Sequence, residues 1–368
     1  MLTERSLLER AFIPKADGRQ RPLGIAALED KIVQRAGVEV LNAIYEEDFL
    51  GFSYGFRPGR KPHDALDALA TGITTKRVNW VLDADISDFF GQIDHSWLRK
   101  FLEHRIADKR ILRLIDKWLA AGVIENGKWS ATPLGSPQGA SVSPLLANVY
   151  LHYVFDRWVR QWRVRQAHGD VIVVRFADDF VVGFEYGNDA TQFLHDLRER
   201  FLVFGLELHP KKTRLIAFGR HAARNLGKPE TFDFLGFTHI CAKGKNGGFW
   251  IGRITISKRM RAKLKSLNIE LKQRRHEPID VQGQWLASVV RGHLNYYAVP
   301  GNGDAIKAFR TQLTRHWFKA LRRRSQKNRL SWVRMGRLAT HWLPPTHTVH
   351  PFPQVRFAAN TRGRSPVR

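Results

Sequence analysis

Two adjacent carboxylates stand between apolar, β-branched runs near the middle of the chain, in Val171-Ile172-Val173-Val174-Arg175-Phe176-Ala177-Asp178-Asp179-Phe180-Val181-Val182-Gly183-Phe184. Runs of that composition predict a β-hairpin with Asp178 and Asp179 at its tip. Two negative charges side by side cost stability unless a cation sits on them. Hard, oxygen-seeking cations such as magnesium suit that arrangement. The plain alternative is a solvated turn, where Asp is at home. A second acidic strand, Asn79-Trp80-Val81-Leu82-Asp83-Ala84-Asp85-Ile86, puts Asp83 and Asp85 on one face by its period of two. One carboxylate from it, with Asp178, would bridge two magnesium ions about 3.5–4 Å apart, one activating an attacking 3′-hydroxyl and the other steadying a leaving pyrophosphate. Spacing alone does not choose between Asp83 and Asp85. An aromatic, turn-rich segment from Ser87 to His95 follows and contains Phe89 and Phe90.

Charge points to what such a site would act on. The 368 residues carry 60 Lys and Arg against 34 Asp and Glu, a formal net charge of +26, in the range of nucleic-acid-binding chains. Such a charge self-repels and asks for a polyanionic partner. Between Arg253 and Arg337 there are 21 Lys and Arg against 4 Asp and Glu, which accounts for +17 of that excess. A hydrophobic content of 43% with 11 tryptophans argues for a folded chain. The single cysteine, Cys241, excludes disulfides within the chain and Cys-rich zinc modules, and fits a reducing compartment. No apolar run reaches the roughly 18 residues that span a bilayer, and Met1 to Phe12 has no apolar signal core. A cytoplasmic, nucleic-acid-associated protein is expected.

The elements that must position these groups read as an α/β body followed by a helical, basic end. Ile13 to Ile25 predicts a hairpin closing on Asp17-Gly18. Helical spacing of the apolar Ile32, Ala36, Val40 and Ile44 predicts a helix from about Leu28 to Ile44. Phe52 to Gly59 is an aromatic, Gly/Pro-broken loop containing Arg57. Two helices joined near Ala107-Asp108 fill His95 to Ala121, and Ser141 to Val159 reads as a largely apolar helix. A helix from Ala190 to Phe204 follows the carboxylate hairpin. Phe232 to Phe237 reads as one short strand and Ile240 to Ile256 as a hairpin. Three helices close the chain, the first capped by Ser257. In the third, Ile306, Phe309, Leu313, Trp317 and Leu321 make one apolar stripe suited to a bundle core. With few acids nearby, Lys258, Arg259, Arg261, Lys263 and Lys265 on the first helix, Arg291 on the second and Arg322, Arg323 and Arg324 at the end of the third are candidates for phosphate contact.

Taken in order, these segments resemble a family. The chain is similar to the bacterial group II intron-encoded reverse transcriptase/maturases from about Ile13 to its end. The motifs that carry the likeness are Ile13-Pro14-Lys15 through Arg21-Pro22-Leu23-Gly24-Ile25; Tyr54-Gly55-Phe56-Arg57-Pro58-Gly59; Asp85-Ile86-Ser87-Asp88-Phe89-Phe90; Pro137-Gln138-Gly139 with Ser143-Pro144-Leu145-Leu146-Ala147-Asn148; Phe176-Ala177-Asp178-Asp179; Leu208-His209-Pro210-Lys211-Lys212-Thr213; Phe234-Leu235-Gly236-Phe237; and Arg291-Gly292-His293-Leu294-Asn295-Tyr296-Tyr297. The resemblance implies an α/β (α+β) right-hand polymerase fold. Its expected parts are fingers over 1–75, a palm over 76–256, a helical thumb that doubles as the maturase domain over 257–340, and a tail over 341–368.

It also implies roles. Asp85, Asp178 and Asp179 are the expected catalytic carboxylates, and with Ile86 they make up the expected set for two magnesium ions, which manganese can replace. Asp83 then reverts to a supporting part. Phe90, or Phe89 if the turn shifts by one residue, is expected to bar the 2′-hydroxyl of an incoming nucleotide. Lys15 and Arg21 match positions that hold the triphosphate, Gln138 a position beside the nascent base pair, and Lys212 a palm lysine near the active site. Arg57, in the fingers loop, joins the thumb cations as a candidate nucleic-acid contact, with structural pairing within the loop as the alternative. The expected reaction is RNA-directed DNA synthesis, with deoxynucleoside triphosphates, an RNA template, a DNA primer or target and the parent intron RNA as partners, the last for splicing and retrohoming. Three departures bear on this. Met1 stands twelve residues ahead of Ile13, where relatives carry a longer stretch, so template grip, strand displacement and intron docking are in question. No His-Asn-type endonuclease module follows Arg368, so second-strand cleavage is not expected. Phe176, where many relatives have Tyr, keeps the ring. A non-catalytic splicing cofactor and a reverse transcriptase of a retron or defence system are the alternative readings.

Overall fold

The computed structural model describes residues 8–14, 20–121, 123–125, 128–130, 134–135, 139–225, 229–244, 247–325 and 329–361. The chain divides into two compact units, residues 1–230 with 357–368, and residues 231–356. No described helix is long and apolar enough to cross a membrane.

The first unit begins with the expected hairpin, β1 (Leu8–Pro14) and β2 (Gln20–Ile25), paired from Glu9↔Ile25 to Pro14↔Gln20. Its closing residues, Asp17-Gly18 and Lys15 among them, lie outside the described part. Helices α1 (Leu28–Tyr45) and α2 (Pro62–Thr75) lead to β3 (Trp80–Asp85). A short turn of helix, α3 (Phe89–Gln92), precedes α4 (His95–Glu103) and α5 (Lys109–Leu119). Strands β4 (Val123–Glu125) and β5 (Lys128–Ser130) join the first hairpin in the order β2-β1-β4-β5. Next come α6 (Ser143–Leu151), a wide π-turn (His152–Asp156) and α7 (Arg157–Arg165). The hairpin that carries the two adjacent carboxylates is β6 (Val171–Phe176) with β7 (Asp179–Phe184), followed by α8 (Gly187–Val203), β8 (Arg214–Ala217) and α9 (Arg220–Asn225).

The central sheet runs β6-β7-β3-β8, all antiparallel. Its strands are apolar because both faces are covered: every residue of β6 but the last is buried, and every residue of β7 but the first. Alternation then sorts the side chains. Leu82, Ala84, Ile86, Val173, Phe180, Val182 and Phe184 enter the main core with Phe155, Val159, Phe193, Leu197 and Phe201 from the helices. Val81, Asp83, Asp85 and Asp179 fall on the opposite face.

Helix α1 buries a different stripe from the one its apolar spacing marks. Its buried residues are Gln34, Val38, Leu41 and Tyr45, whereas Ile32 is 62% and Val40 53% exposed. Both stripes have helical spacing. The inward one wins because Gln34 accepts a hydrogen bond from the Ser141 N–H (2.8 Å) and Tyr45 and Leu41 reach the main core. The helix expected from Ser141 to Val159 also differs, since it begins at Ser143, widens into the π-turn and runs on to Arg165.

The second unit holds β9 (Phe232–Phe234), β10 (Phe237–Lys243) and β11 (Phe249–Thr255) in the order β11-β10-β9. The strand expected to be continuous over Phe232 to Phe237 is broken by a tight turn, with Leu235 at φ +47° and Gly236 at φ +86°. Helices α10 (Ser257–Gln273), α11 (Ile279–Tyr297), α12 (Gly303–Arg322), α13 (Trp332–Trp342) and α14 (Pro353–Thr361) complete the chain. Ser257 opens α10 without capping it, since Ile256 holds the cap position and no side chain caps it. The stripe Ile306, Phe309, Leu313, Trp317 and Leu321 is fully inward, packed with Leu267, Leu271, Leu286 and Val290.

Candidate active site

Strand pairing puts Asp85 directly opposite Asp179. Directly opposed residues of an antiparallel pair share a face, with Cβ atoms roughly 4.5–5.5 Å apart. Asp178 sits in the two-residue turn that joins Phe176 to Asp179. All three carboxylates are half-exposed. The register also separates the two candidates on β3. Asp83 lies one pleat further in, opposite Val181 and Arg214, and its carboxylate pairs with Arg214 at 3.5 Å. Asp85 instead lies at the open end of the sheet. The Lys212 ammonium contacts the Asp85 Oδ2, and the backbone N–H of His209 donates to the Asp85 carbonyl at 2.8 Å. An antiparallel bridge joins Ile86 to Leu208, carried by bonds at Asp85 and Ser87 on either side, so the Ile86 carbonyl takes no part in it.

A buried scaffold fixes the tip. Ala177 has φ +57°, a conformation that a residue with a Cβ adopts at a cost of about 1–3 kcal/mol. Arg175, fully buried, donates to the Ala177 carbonyl at 2.9 Å, to the Asn148 amide oxygen at 3.0 Å and to both oxygens of the equally buried Asp156 at 2.8 and 2.6 Å. The π-turn between α6 and α7 delivers Asp156 to that contact. Asn148 in turn donates to the Gly55 carbonyl at 2.7 Å. A Cβ at Gly55 would collide with the Ala177 backbone, so the loop of Tyr54-Gly55-Phe56 presses on the turn only because residue 55 is glycine.

Carboxylate oxygens are the donor type that hard divalent cations take. Two acids opposed across a ladder repel, and here a lysine ammonium already lies on one of them. Among the described residues no group of three or more His, Cys, Asp or Glu side chains is arranged to hold a metal ion; what the register shows is Asp85 opposite Asp179, with Asp178 in the adjoining turn.

The aromatic pair is split by burial. Phe89 is 2% exposed and packs on Tyr150, with ring centroids 6.5 Å apart, whereas Phe90 is half-buried. The turn that presents them has Asp88 at φ +37°. Lys15 and Gln138 lie outside the described residues, and Arg21 is placed on β2 by its backbone only. Arg57 differs from its expected part as a nucleic-acid contact. It is 6% exposed, forms a two-pronged pair with Glu46 and donates to the carbonyls of Leu50 and Ser53, so it holds the loop and offers nothing to a template. Of the second-unit cations, Lys258, Arg259, Arg261, Lys263, Lys265, Arg291, Arg322 and Arg323 are exposed. Arg324 is half-buried and donates to the Glu277 carbonyl, which removes it from that set. Reading the sequence missed Arg175, Asp156 and Asn148. The one available signal was an arginine inside an otherwise apolar strand.

Residues 13–239 match the family model described as reverse transcriptase (RNA-dependent DNA polymerase). The chain is 39% identical over 159 residues to the group II intron-encoded protein LtrA of Lactococcus lactis subsp. cremoris, covering 43% of this chain and 26% of that one. It is 38% identical over 204 residues to protein YkfC of Escherichia coli K12, covering 47% and 53%. The chain thus spans about half, or less, of the length of these relatives. In fold, it is similar to telomerase from Candida albicans, solved in complex with a fragment of telomeric RNA, at a TM-score of 0.51 and 12% identity, covering 98% of this chain and 62% of that one. At that identity the likeness speaks to the right-hand polymerase fold alone.

Proposed function

The chain belongs to the reverse transcriptase (RNA-dependent DNA polymerase) family, and from that premise we propose that it copies RNA into DNA and binds a group II intron RNA to assist splicing and retrohoming. The observation that carries the catalytic part is the register that sets Asp85 against Asp179 beside the Asp178 turn. The reaction is in-line attack of a primer 3′-hydroxyl on the α-phosphate of a deoxynucleoside triphosphate, forming the phosphodiester and releasing pyrophosphate. Asp85, Asp178 and Asp179, with the Ile86 carbonyl alongside, would hold two magnesium ions, or manganese in their place. When bound, such ions neutralise charge that builds on the phosphate oxygens and lower the pKa of the attacking hydroxyl.

The protein's own residues do the positioning. Arg175 and Gly55 keep the Asp178 turn in place. Phe90, half-buried where Phe89 is core, is the ring that bars a ribose 2′-hydroxyl. Lys212, resting on Asp85, brings an ammonium to the side where the triphosphate lies, and Lys15, Arg21 and Gln138 complete that pocket on the strength of the motif match. The exposed cations of α10, α11 and α12 hold the RNA, or the RNA–DNA duplex, by its backbone. A-form duplexes are read by shape and 2′-hydroxyls, so preference for one intron comes from its tertiary structure. We place the protein in the cytoplasm with its RNA.

Magnesium-dependent primer extension tests the reading. Asp178→Ala abolishes extension and leaves RNA affinity within a few-fold. Extension that persists in the variant refutes the catalytic assignment, and wild-type chain that binds intron RNA but never extends a primer would be a splicing cofactor only.

A further inference from the structure

Helix α7 carries Arg157, Arg160, Arg163 and Arg165 and no acidic residue, a run not absorbed by the polymerase site. On one side of it opens a cleft of about 650 Å³, walled by Arg105, Arg157, Arg160 and Arg165. On the other a cleft of about 850 Å³ brings Lys76, Arg77 and Arg163 beside the same Arg160. Arg160 and Val164 line both, so α7 is the ridge between two halves of one cationic track. Among the described residues, the one acid lining the first half, Asp48, is taken by Arg105 at 3.1 Å, and the one lining the second, Asp170, by Lys76 at 3.0 Å. Arg157, Arg160 and Arg165 make no ion pair among the described residues and are exposed.

The first half also has an aromatic floor. Tyr153 is held by Phe101 beneath it, ring centroids 4.8 Å apart and 9° from parallel. His104 stacks on Tyr153 at 5.4 Å, and the Arg157 guanidinium lies 5.4 Å from the Tyr153 ring centre. Val164, on the ridge, is 82% exposed. None of these residues belongs to the carboxylate cluster. Lys76, Arg77 and Asp170 adjoin the far ends of β3 and β6 from Asp85 and Phe176, a strand length of roughly 17 Å at about 3.3 Å per residue.

A positive groove for a backbone, with rings and apolar side chains for bases, is the architecture that single-stranded nucleic acid requires. We propose that the α7 track is a second nucleic-acid site that binds a single-stranded RNA segment outside the copying cleft, with phosphates on Arg157, Arg160 and Arg165 and a base on the His104–Tyr153 stack. The choice of RNA over DNA rests on the polymerase reading, since the strand left unpaired by RNA-directed synthesis is the template. The track itself does not rest on that reading.

The test uses the full chain with the three exposed arginines reversed, Arg157→Glu, Arg160→Glu and Arg165→Glu. Unstructured RNA and DNA oligonucleotides of one sequence are titrated across a salt series, and a short primer–template is extended in parallel. Each lost single-strand phosphate contact removes about 0.7 from the salt slope, so the slope drops by about 2. The expected result is an RNA affinity at least about tenfold weaker, a smaller effect on DNA, and extension like wild type. A control reverses Lys117, Arg198 and Arg224, which are exposed cations outside both clefts. Unchanged RNA affinity and slope, an equal loss in the control, or lost extension would each overturn the site. An equal loss on DNA would overturn its assignment to RNA. The milder Arg→Gln triple repeats the comparison if the reversal lowers the melting temperature. Wild-type chain that fails to extend would count against the polymerase reading and leave the binding comparison intact.

Discussion

Asp156→Asn removes one charge from a pair whose two side chains are both 0% exposed. Asn keeps the shape and one acceptor, so the main effect is a guanidinium left in the core without its counter-charge. Breaking a buried pair this way costs about 3–5 kcal/mol. At about 2–4 °C per kcal/mol for a unit of this size, the melting temperature falls by roughly 6–20 °C. The paired change Asp156→Leu with Arg175→Met removes both charges and their desolvation, which is often close to neutral. It still leaves the Ala177 carbonyl and the Asn148 amide oxygen without the donor they have now, at about 1–3 kcal/mol each if they stay dry. The paired variant is therefore expected to fold while the Asp178 turn, strained at Ala177, loses its anchor. Urea melts followed by tryptophan fluorescence give the stability, and steady-state extension gives kcat and KM separately. The expected pattern is a kcat loss in the paired variant larger than its stability loss, with KM for the primer–template little changed. Either an Asp156→Asn midpoint within about 1 kcal/mol of wild type or wild-type kcat in the paired variant would refute the argument.

Three further outcomes follow from the geometry. Phe90→Ala admits ribonucleotides with little change in stability, whereas Phe89→Ala destabilises by about 3–5 kcal/mol as a core truncation; ribonucleotide incorporation and urea melts separate the two, and the opposite pattern would exchange their roles. Magnesium titrated into nucleic-acid-free chain raises the melting temperature, by about 2.7 kcal/mol of stability at a hundredfold excess over Kd, and Asp85→Asn removes most of the rise, while an equal rise in the variant would place the cation elsewhere. In the second unit, burial depresses His239 to about 3, with Arg253 adding to the shift, and burial depresses His293 to about 4. Unfolded, both titrate near 6.5, so below that the unfolded chain holds more protons. Their contribution is complete above about pH 6.5 and is lost as the pH falls toward those values, by up to about 1.4 kcal/mol per pH unit for each group. His239→Phe, which keeps the stack on Phe232, is expected to reduce the pH slope of the urea midpoint between pH 6.5 and 4.5, and an unchanged slope would refute its part.

Local chemistry was legible in the chain itself. Period-two patterning and β-branched runs marked the acidic strand and the hairpin because strand burial is written residue by residue, and the stripe of α12 was legible for the same reason at helical spacing. Composition marked the polyanionic partner, since charge sums without regard to fold. Partner choice across the fold was not legible. Asp83 and Asp85 are both flanked by apolar residues, and only the register with β7 and β8 gives Arg214 to one and an opposed carboxylate to the other. Helix α1 carries two stripes of helical spacing, and the choice fell to a hydrogen bond 107 residues away. Arg57 looks like a surface cation in a chain this basic, and Arg175 stands out only as an arginine in an apolar strand, with nothing in the sequence to name its partner; Glu46 and Asp156 hold them inside. Whether a charge faces water or a buried counter-charge depends on contacts between distant segments, and these exist only once the chain has closed on itself.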